Sequence, residues 1–404
     1  MTRRDSPSPG AWQAALFPLY AALFLFGTET FVIAPILPLI ASEIGASLRV
    51  TASAAAAYVV AYAVLAPFLA YFSDAVDRRA TLIAGLLIFV LGNVLAASAQ
   101  SLQGFVAARA LSGLGAALAG PAIWSAIVAL APAELRSRVV GFGMAAFSIG
   151  QVAGVPAGGA LTASLTWRAV FLAIAAVTVL ASLWVAALSK RYESAADSAR
   201  GQRFSVVSIW RNDVAARTLV LTGLFHAANL GAYAYIGALF ASRFALDAQA
   251  IGVVGVSVGA GSVLGAFLAG RLGDRARQAR GSEEGRLPLW CALLAASLIA
   301  TFLAPTLLLA LLSLGLWFVA SGAYVTDSQS IVTGSSAASR ALASAWNTTA
   351  MHAGTAMGVF LLGVFAGNWL PFFGTAACLA IIALLFSFFA TTGACRIPCR
   401  LSRR

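Results

Sequence analysis

Five ionisable side chains stand inside long apolar runs of this 404-residue chain: Glu29, Arg109, His226, Asp327 and His352. A charge at the centre of a bilayer costs about 2.5–3.5 kcal/mol on insertion scales, so each needs a partner or a water-filled cavity. Glu29, in Gly27-Thr28-Glu29-Thr30-Phe31, offers reversible protonation. The structural alternative is a lasting pair with Arg109. Arg109, followed by Ala-Leu-Ser-Gly113-Leu-Gly115, keeps its proton and must face an acid, a carbonyl or a substrate. His226, Asn229 and Tyr233 fall at i, i+3 and i+7, so one helical face carries all three, as a cavity wall or as hydrogen-bonded packing. Asp327 lies near the end of its run, at a gate position. His352 stands on a different face from Asn347. Trp124, Gln151, His226, Asn229, Tyr233, Tyr324 and Asn347 are the candidates for a substrate cavity. Cys395-Arg-Ile-Pro-Cys399 lacks further ligands, and neither metal nor cofactor is expected.

The elements that position these groups must be membrane-spanning helices. The chain is 61% hydrophobic and 10% charged, with a mean hydropathy of +0.90. Runs of about 20 apolar residues recur, each long enough to cross a bilayer as a helix. The parse has spans at 15–40, 51–72, 81–99, 103–129, 139–163, 168–188, 218–240, 249–270, 287–304, 306–331, 341–366 and 371–391. With the N-terminus inside, only Arg49, Arg168 and Arg243 fall outside and Arg109 within a span; all the other lysines and arginines lie on one side. That asymmetry predicts both termini in the cytoplasm. It also accounts for the net charge of +12 without nucleic acid, for which no solvated basic face with stacking aromatics exists. Paired acids, a histidine-rich metal motif and an activated serine are missing from the spans, which argues against an enzyme.

The chain echoes itself at an offset of 200 residues. Asp74 and Asp274 each end an apolar run, and Gly154 and Gly158 answer to Gly354 and Gly358. A duplicated helical bundle of this kind points to a transporter. The expected organisation is a cytoplasmic N-terminus (1–14), a six-helix bundle (15–188), a linker (189–217), a second six-helix bundle (218–391) and a basic cytoplasmic tail (392–404). Within the linker, Phe204 to Trp210 reads as an amphipathic turn on the membrane surface. The halves differ chemically: Asn229 answers to Glu29, and Leu309 answers to Arg109.

Taken in order, these motifs resemble the major facilitator superfamily, and within it the twelve-helix drug:proton antiporters of the sugar-efflux, arabinose-efflux and chloramphenicol-resistance branch. The resemblance rests on Gly27-Thr-Glu29-Thr-Phe, the Ala70–Arg79 loop, Arg109 with Gly113, Gly154-Val-Pro156-Ala-Gly158-Gly159 running to Trp167-Arg168, Tyr233-Ala-Tyr235-Ile, and Gly354-Thr-Ala-Met-Gly358. It implies an all-α fold of two pseudo-symmetric six-helix bundles in a bacterial inner membrane. Further implications are proton-driven efflux of a small organic solute or drug and a monomeric protein whose partners are substrate, protons and lipid. By that resemblance Glu29 and Arg109 couple protons. Asp74, Arg78, Arg79, Asp274, Arg275 and Asp327 form a cytoplasmic gate, and Gly154, Pro156, Gly158 and Gly159 form the antiport motif of the fifth span. Departures from the pattern are Ala70, Ala75 and Asp77 in the first gate loop, which leave the second copy the better preserved, and His352 where relatives often carry asparagine. Uptake by symport uses the same fold. A transporter-like sensor would want an output domain, and the chain offers none.

Overall fold

The first apolar run does not form one helix. α1 (Pro9–Phe31) stops and α2 (Ile33–Ile44) begins one residue later. Pro35 has no N–H to give the carbonyl of Phe31 four residues back, so the hydrogen-bond ladder is interrupted there. The seventh run breaks at the matching place, between α8 (Asp213–Tyr233) and α9 (Ile236–Phe244), where Tyr235 N–H tightens onto Ala232 O at 3.1 Å. The other helices are α3 (Ser53–Ala75), α4 (Arg78–Ser98), α5 (Leu102–Leu130), α6 (Arg136–Ser164), α7 (Trp167–Ala187), α10 (Ala248–Gln278), α11 (Leu287–Leu303), α12 (Leu307–Gly334), α13 (Arg340–Gly363) and α14 (Trp369–Thr392). This computed structural model describes residues 9–46, 51, 53–75, 78–188, 205–245, 248–279, 284–335, 340–365 and 368–392. With α1/α2 and α8/α9 each counted as one broken pass, the described helices make twelve passes.

α1–α7 and α8–α14 form two bundles. One apolar core joins Leu23, Phe26, Phe89, Phe105 and Phe171; the other joins Phe225, Phe240, Trp290, Trp317 and Phe372. Outward-facing leucine, valine and phenylalanine such as Leu180, Leu312, Leu385 and Phe389 stay exposed, as a lipid-facing surface requires. One face of the molecule, where α4, α6, α11 and α13 begin, carries Arg79, Arg136, Arg138, Arg277, Arg286 and Arg340; it is called the basic face below.

The bundles meet along α6 with α10 and along α3 with α13. From the basic face outward, Arg138 binds Asp274, Gly141 packs on the backbone of Ala266, Phe142 meets Phe267 at 5.2 Å, and Gly259 packs on Val152. On the other side of the seam, Thr349 Oγ1 donates to Ala63 O at 2.6 Å and His352 lies 6.1 Å from Tyr62. Gly159, seven residues beyond Val152, and Gly255, four before Gly259, continue the same helical faces, yet a side chain at either would meet nothing within 4 Å. The seam is closed toward the basic face and opens as a cleft toward the opposite face.

Residues 189–204 of the expected linker lie outside the described residues. The part of the expected surface turn that is described, 205–210, rests against the second bundle, with Val207 and Trp210 partly exposed. Ile209 is buried, Trp346 Nε1 donates to Val206 O at 2.8 Å, and the rings of Trp210 and Trp346 sit 5.4 Å apart, edge to face.

Candidate functional site

Glu29 and Arg109 form an ion pair fully enclosed by the first bundle, each at 0% exposure. α1 carries the acid two residues before its break, and α5 carries the base seven residues, about 10 Å, from its start at Leu102. Arg109 Nη2 also donates to Glu29 O at 3.4 Å. Its guanidinium lies 4.9 Å from the centroid of Tyr58 and 5.7 Å from that of Phe171. Those two π faces supply the rest of the cation's solvation. A carboxyl so placed can exist charged against Arg109 or neutral with a proton, and the difference decides how firmly the guanidinium is held.

The matching region of the second bundle is neutral. Asn229 accepts from Trp317 Nε1 at 2.7 Å and donates to Ser321 Oγ at 2.7 Å. The expected counterpart Leu309 proves to be half exposed at the start of α12. α5 starts at 102 and α12 at 307, so the offset here is 205 and not 200. The capping residues Ser101 and Thr306, which accept from Gly104 N–H and Leu309 N–H, keep the same 205 spacing. A loop longer by a few residues moved the register, so that Arg109 answers to the buried Leu314, and Trp317, one turn further along α12, is the residue that meets Asn229.

Several cavity candidates lie inside the second bundle and away from the cleft. His226 (2%), Asn229 (0%), Tyr324 (0%) and Asn347 (5%) are buried. Thr222 Oγ1 donates to Asn347 Oδ1 at 3.1 Å and meets Tyr324 OH at 3.2 Å; Asn347 Nδ2 donates to Gln329 Oε1 at 2.9 Å. Phe225 stacks on Tyr324 at 3.9 Å. Trp124 is buried against Gly143 in the first bundle, whereas Gln151 and Tyr233 are half-buried, Tyr233 edge-on to Phe318 at 4.9 Å.

The glycines of α6 seat α1. A side chain at Gly150 would strike the backbone of Phe24, one at Gly154 the backbone of Thr28 at 3.0 Å, and one at Gly158 the side chain of Val32. Thr28 Oγ1 donates to Gly150 O at 3.1 Å. Small residues let the two backbones touch, which is how helices gain contact in lipid. The segment held this way is the one that carries Glu29.

At the basic face, Asp274 Oδ1 accepts from Arg138 N–H at 3.1 Å and its Oδ2 lies 3.2 Å from Arg138 Nε. An acid from α10 therefore caps the first turn of α6, where free N–H groups and the helix dipole favour negative charge. Arg277, which sequence reasoning passed over, donates to Ser137 Oγ, while Arg275 is exposed. Asp327 accepts from Arg286 (2.7 and 3.1 Å) and Trp290 (2.7 Å), all within the second bundle. Arg79 is half-buried at the start of α4. The side chains of Asp74, Arg78 and Pro156 lie outside the described residues.

A second clasp sits at the opposite face. Glu43, near the end of α2, accepts from Trp167 Nε1 at 2.5 Å and pairs with Arg168, which also donates to Ala99 O at 3.1 Å. The Trp167 hydrogen bond, then Arg168, hold the Glu43 carboxyl below its ordinary value. Its contribution to stability is therefore complete above about pH 4.3 and is lost as pH falls through the lower folded value. Glu43→Gln is expected to melt below the parent at neutral pH, with the gap closing in strongly acidic buffer; a pH-independent gap would rule out the charged clasp.

A model of the Major Facilitator Superfamily matches residues 19–326. The MFS-type transporter YceJ of Bacillus subtilis is 24% identical, covering 91% of this chain and 93% of its own. The chloramphenicol resistance protein of Streptomyces lividans is 27% identical over 92% of this chain and 95% of its own. The crystal structure of the human organic anion transporter MFSD10 superposes with a TM-score of 0.76 at 17% identity, covering 93% of this chain and 99% of that one, which speaks to the fold alone. Two bundles joined along a seam that opens at one face, together with a family match over most of the length, place the chain in the Major Facilitator Superfamily as a membrane transporter.

Proposed function

We propose that the protein exports a small organic solute or drug across a bacterial inner membrane in exchange for protons. The observation that carries this reading is the enclosed Glu29–Arg109 pair, present in one bundle and answered by the neutral Asn229–Trp317 pair in the other. A titratable pair in only one half is surplus to the symmetric frame, and protonation is what a carboxylate facing a permanent cation adds. With the basic face in the cytoplasm, the cleft is open to the outside. Glu29, enclosed at rest, takes a proton from that side when the helices around it part; its hold on Arg109 weakens, and α1 is freed to move against α6. Rocking then parts the Asp274 clasp at the cytoplasmic face, where the proton leaves and substrate enters. The similarity to a chloramphenicol resistance protein supports export over uptake.

Everted membrane vesicles test this. With a pH gradient established, adding a transported compound from a panel that includes chloramphenicol is expected to dissipate the gradient, and vesicles of Glu29→Gln are expected to show no response. Silence of the parent protein across the panel, or proton movement in the same direction as substrate, would overturn the reading.

A further inference from the structure

The chain holds two histidines, and both lie midway through the second bundle. His352 of α13 is half-buried at the point where the seam stops. Thr349, three residues earlier on the same face, is still bonded to Ala63 across the bundles, whereas Ala356, one turn beyond, is exposed, as is Ala56 on the facing helix α3. His352 is thus at the floor of the open cleft, with Tyr62 of the first bundle 6.1 Å away as its cover.

Two features set this position apart from ordinary packing. First, Tyr62 belongs to a row of rings that leads back to the ion pair: Tyr62 lies 6.3 Å from Tyr58, and Tyr58 lies 4.9 Å from the Arg109 guanidinium. Second, His226 of α8 stands behind His352 across the α8–α13 contact, one residue from Ala227, on which Gly358 packs. Asn229 Nδ2 lies 3.4 Å from His226 Nδ1, so the amide donates and the ring proton belongs on Nε2. That Nε2 is buried with no partner among the described residues. An imidazole that keeps a buried donor unmatched is costly unless some state of the protein uses it.

Among the described ring contacts, Tyr62 of α3 faces His352 and Tyr324 of α12 faces His226, both neutral; Tyr58 stands beyond Tyr62, and the Arg109–Glu29 pair beyond Tyr58. α8 and α13 touch through Gly354 on Gly223 and Gly358 on Ala227, so the two rings are held on one rigid unit. Two imidazoles within each other's field accept one positive charge more readily than two.

We propose that His352, backed by His226 and covered by Tyr62, is a second proton-binding site, located in the second bundle at the seam and alternately exposed by rocking. The idea rests on the proton-exchange reading above. In the cleft-open state the imidazole takes a proton from the outer side. Rocking lifts Tyr62 away and turns the same ring to the cytoplasm, where the proton leaves. Each cycle then carries one proton through Glu29 and one through His352.

Because there are only two histidines, full-length protein labelled with nitrogen-15 histidine and purified on a histidine-free tag gives two sets of imidazole signals, one Nδ1–Nε2 pair per ring. His352→Asn and His226→Gln assign them. The His352 pair is expected to change from the neutral pattern, one protonated and one bare nitrogen, to the protonated one as pH falls from about 9 to about 5. In proteoliposomes, His352→Asn is expected to lower the protons exchanged per substrate by about one while leaving exchange intact. A His352 ring that stays neutral throughout, or an unchanged proton count in a variant that melts like the parent, overturns the proposal. The spectra are read without substrate, so failure of proton-driven export itself appears separately, as vesicles with no substrate-dependent proton movement.

Discussion

Arg109→Ala is expected to destabilise the protein by about 3–5 kcal/mol, because it strips the partner from a carboxylate that no water reaches. Glu29→Gln should cost far less. The amide oxygen still faces the guanidinium, Glu29 O still accepts from Arg109 Nη2, and the rings of Tyr58 and Phe171 still cover the cation. The asymmetry between the two single variants is the signature of a buried pair, and thermal melting in detergent measures it.

The same site then separates structure from transport. The second bundle fills the equivalent region with a neutral amide–indole pair, so a neutral pair is compatible with this frame. Glu29→Gln combined with Arg109→Gln should therefore recover much of the stability lost in Arg109→Ala, and still move no protons. If the double variant melts as low as Arg109→Ala, the loss comes from packing around the guanidinium and not from the orphaned charge. If Glu29→Gln exchanges substrate with an unchanged pH dependence, the proton role of Glu29 is wrong.

How much of this was legible beforehand follows from what each residue must do. Glu29 and Arg109 announce themselves because an ionisable group in an apolar run is costly and rare. Tyr58 and Phe171 do not, since a ring that solvates a cation has the same sequence context as one that faces lipid. The twelve-pass, two-bundle architecture is readable from hydropathy and the repeat. Its register is not: the offset slides from 200 at the gate acids to 205 at α5 and α12, so the counterpart of Arg109 is Leu314 and not Leu309, while Trp317, one turn on, supplies the partner of Asn229. The break in the first pass is written in Pro35, but the break at Tyr233–Ile236 has no proline to mark it. Ser137, Arg138 and Arg277 were unremarkable as loop residues because the contacts they make come from 136–140 positions away.

Gly150→Ala and Gly159→Ala, nine residues apart on α6, are expected to have opposite outcomes. At Gly150 the new methyl would sit 2.9 Å from the carbonyl carbon of Phe24 and 3.0 Å from Thr28 N. Those are backbone atoms of α1, which cannot rotate aside, so the whole helix must move. Overpacking of this kind costs about 1–3 kcal/mol, and it displaces the turn that presents Glu29 to Arg109. Both a lower melting temperature and impaired proton exchange should follow. At Gly159 a methyl meets nothing within 4 Å, and alanine is the better helix former by up to about 1 kcal/mol. That variant should melt at or above the parent and transport normally in this conformation's half of the cycle. Family resemblance ranks Gly159 with Gly154 and Gly158, whereas the geometry gives only the latter two a seat against α1. A Gly159→Ala protein that is stable yet cannot exchange would mean that the cleft closes on this face during rocking, with Gly159 the contact that replaces open space. Normal exchange would confine the motif's work to holding α1 in place.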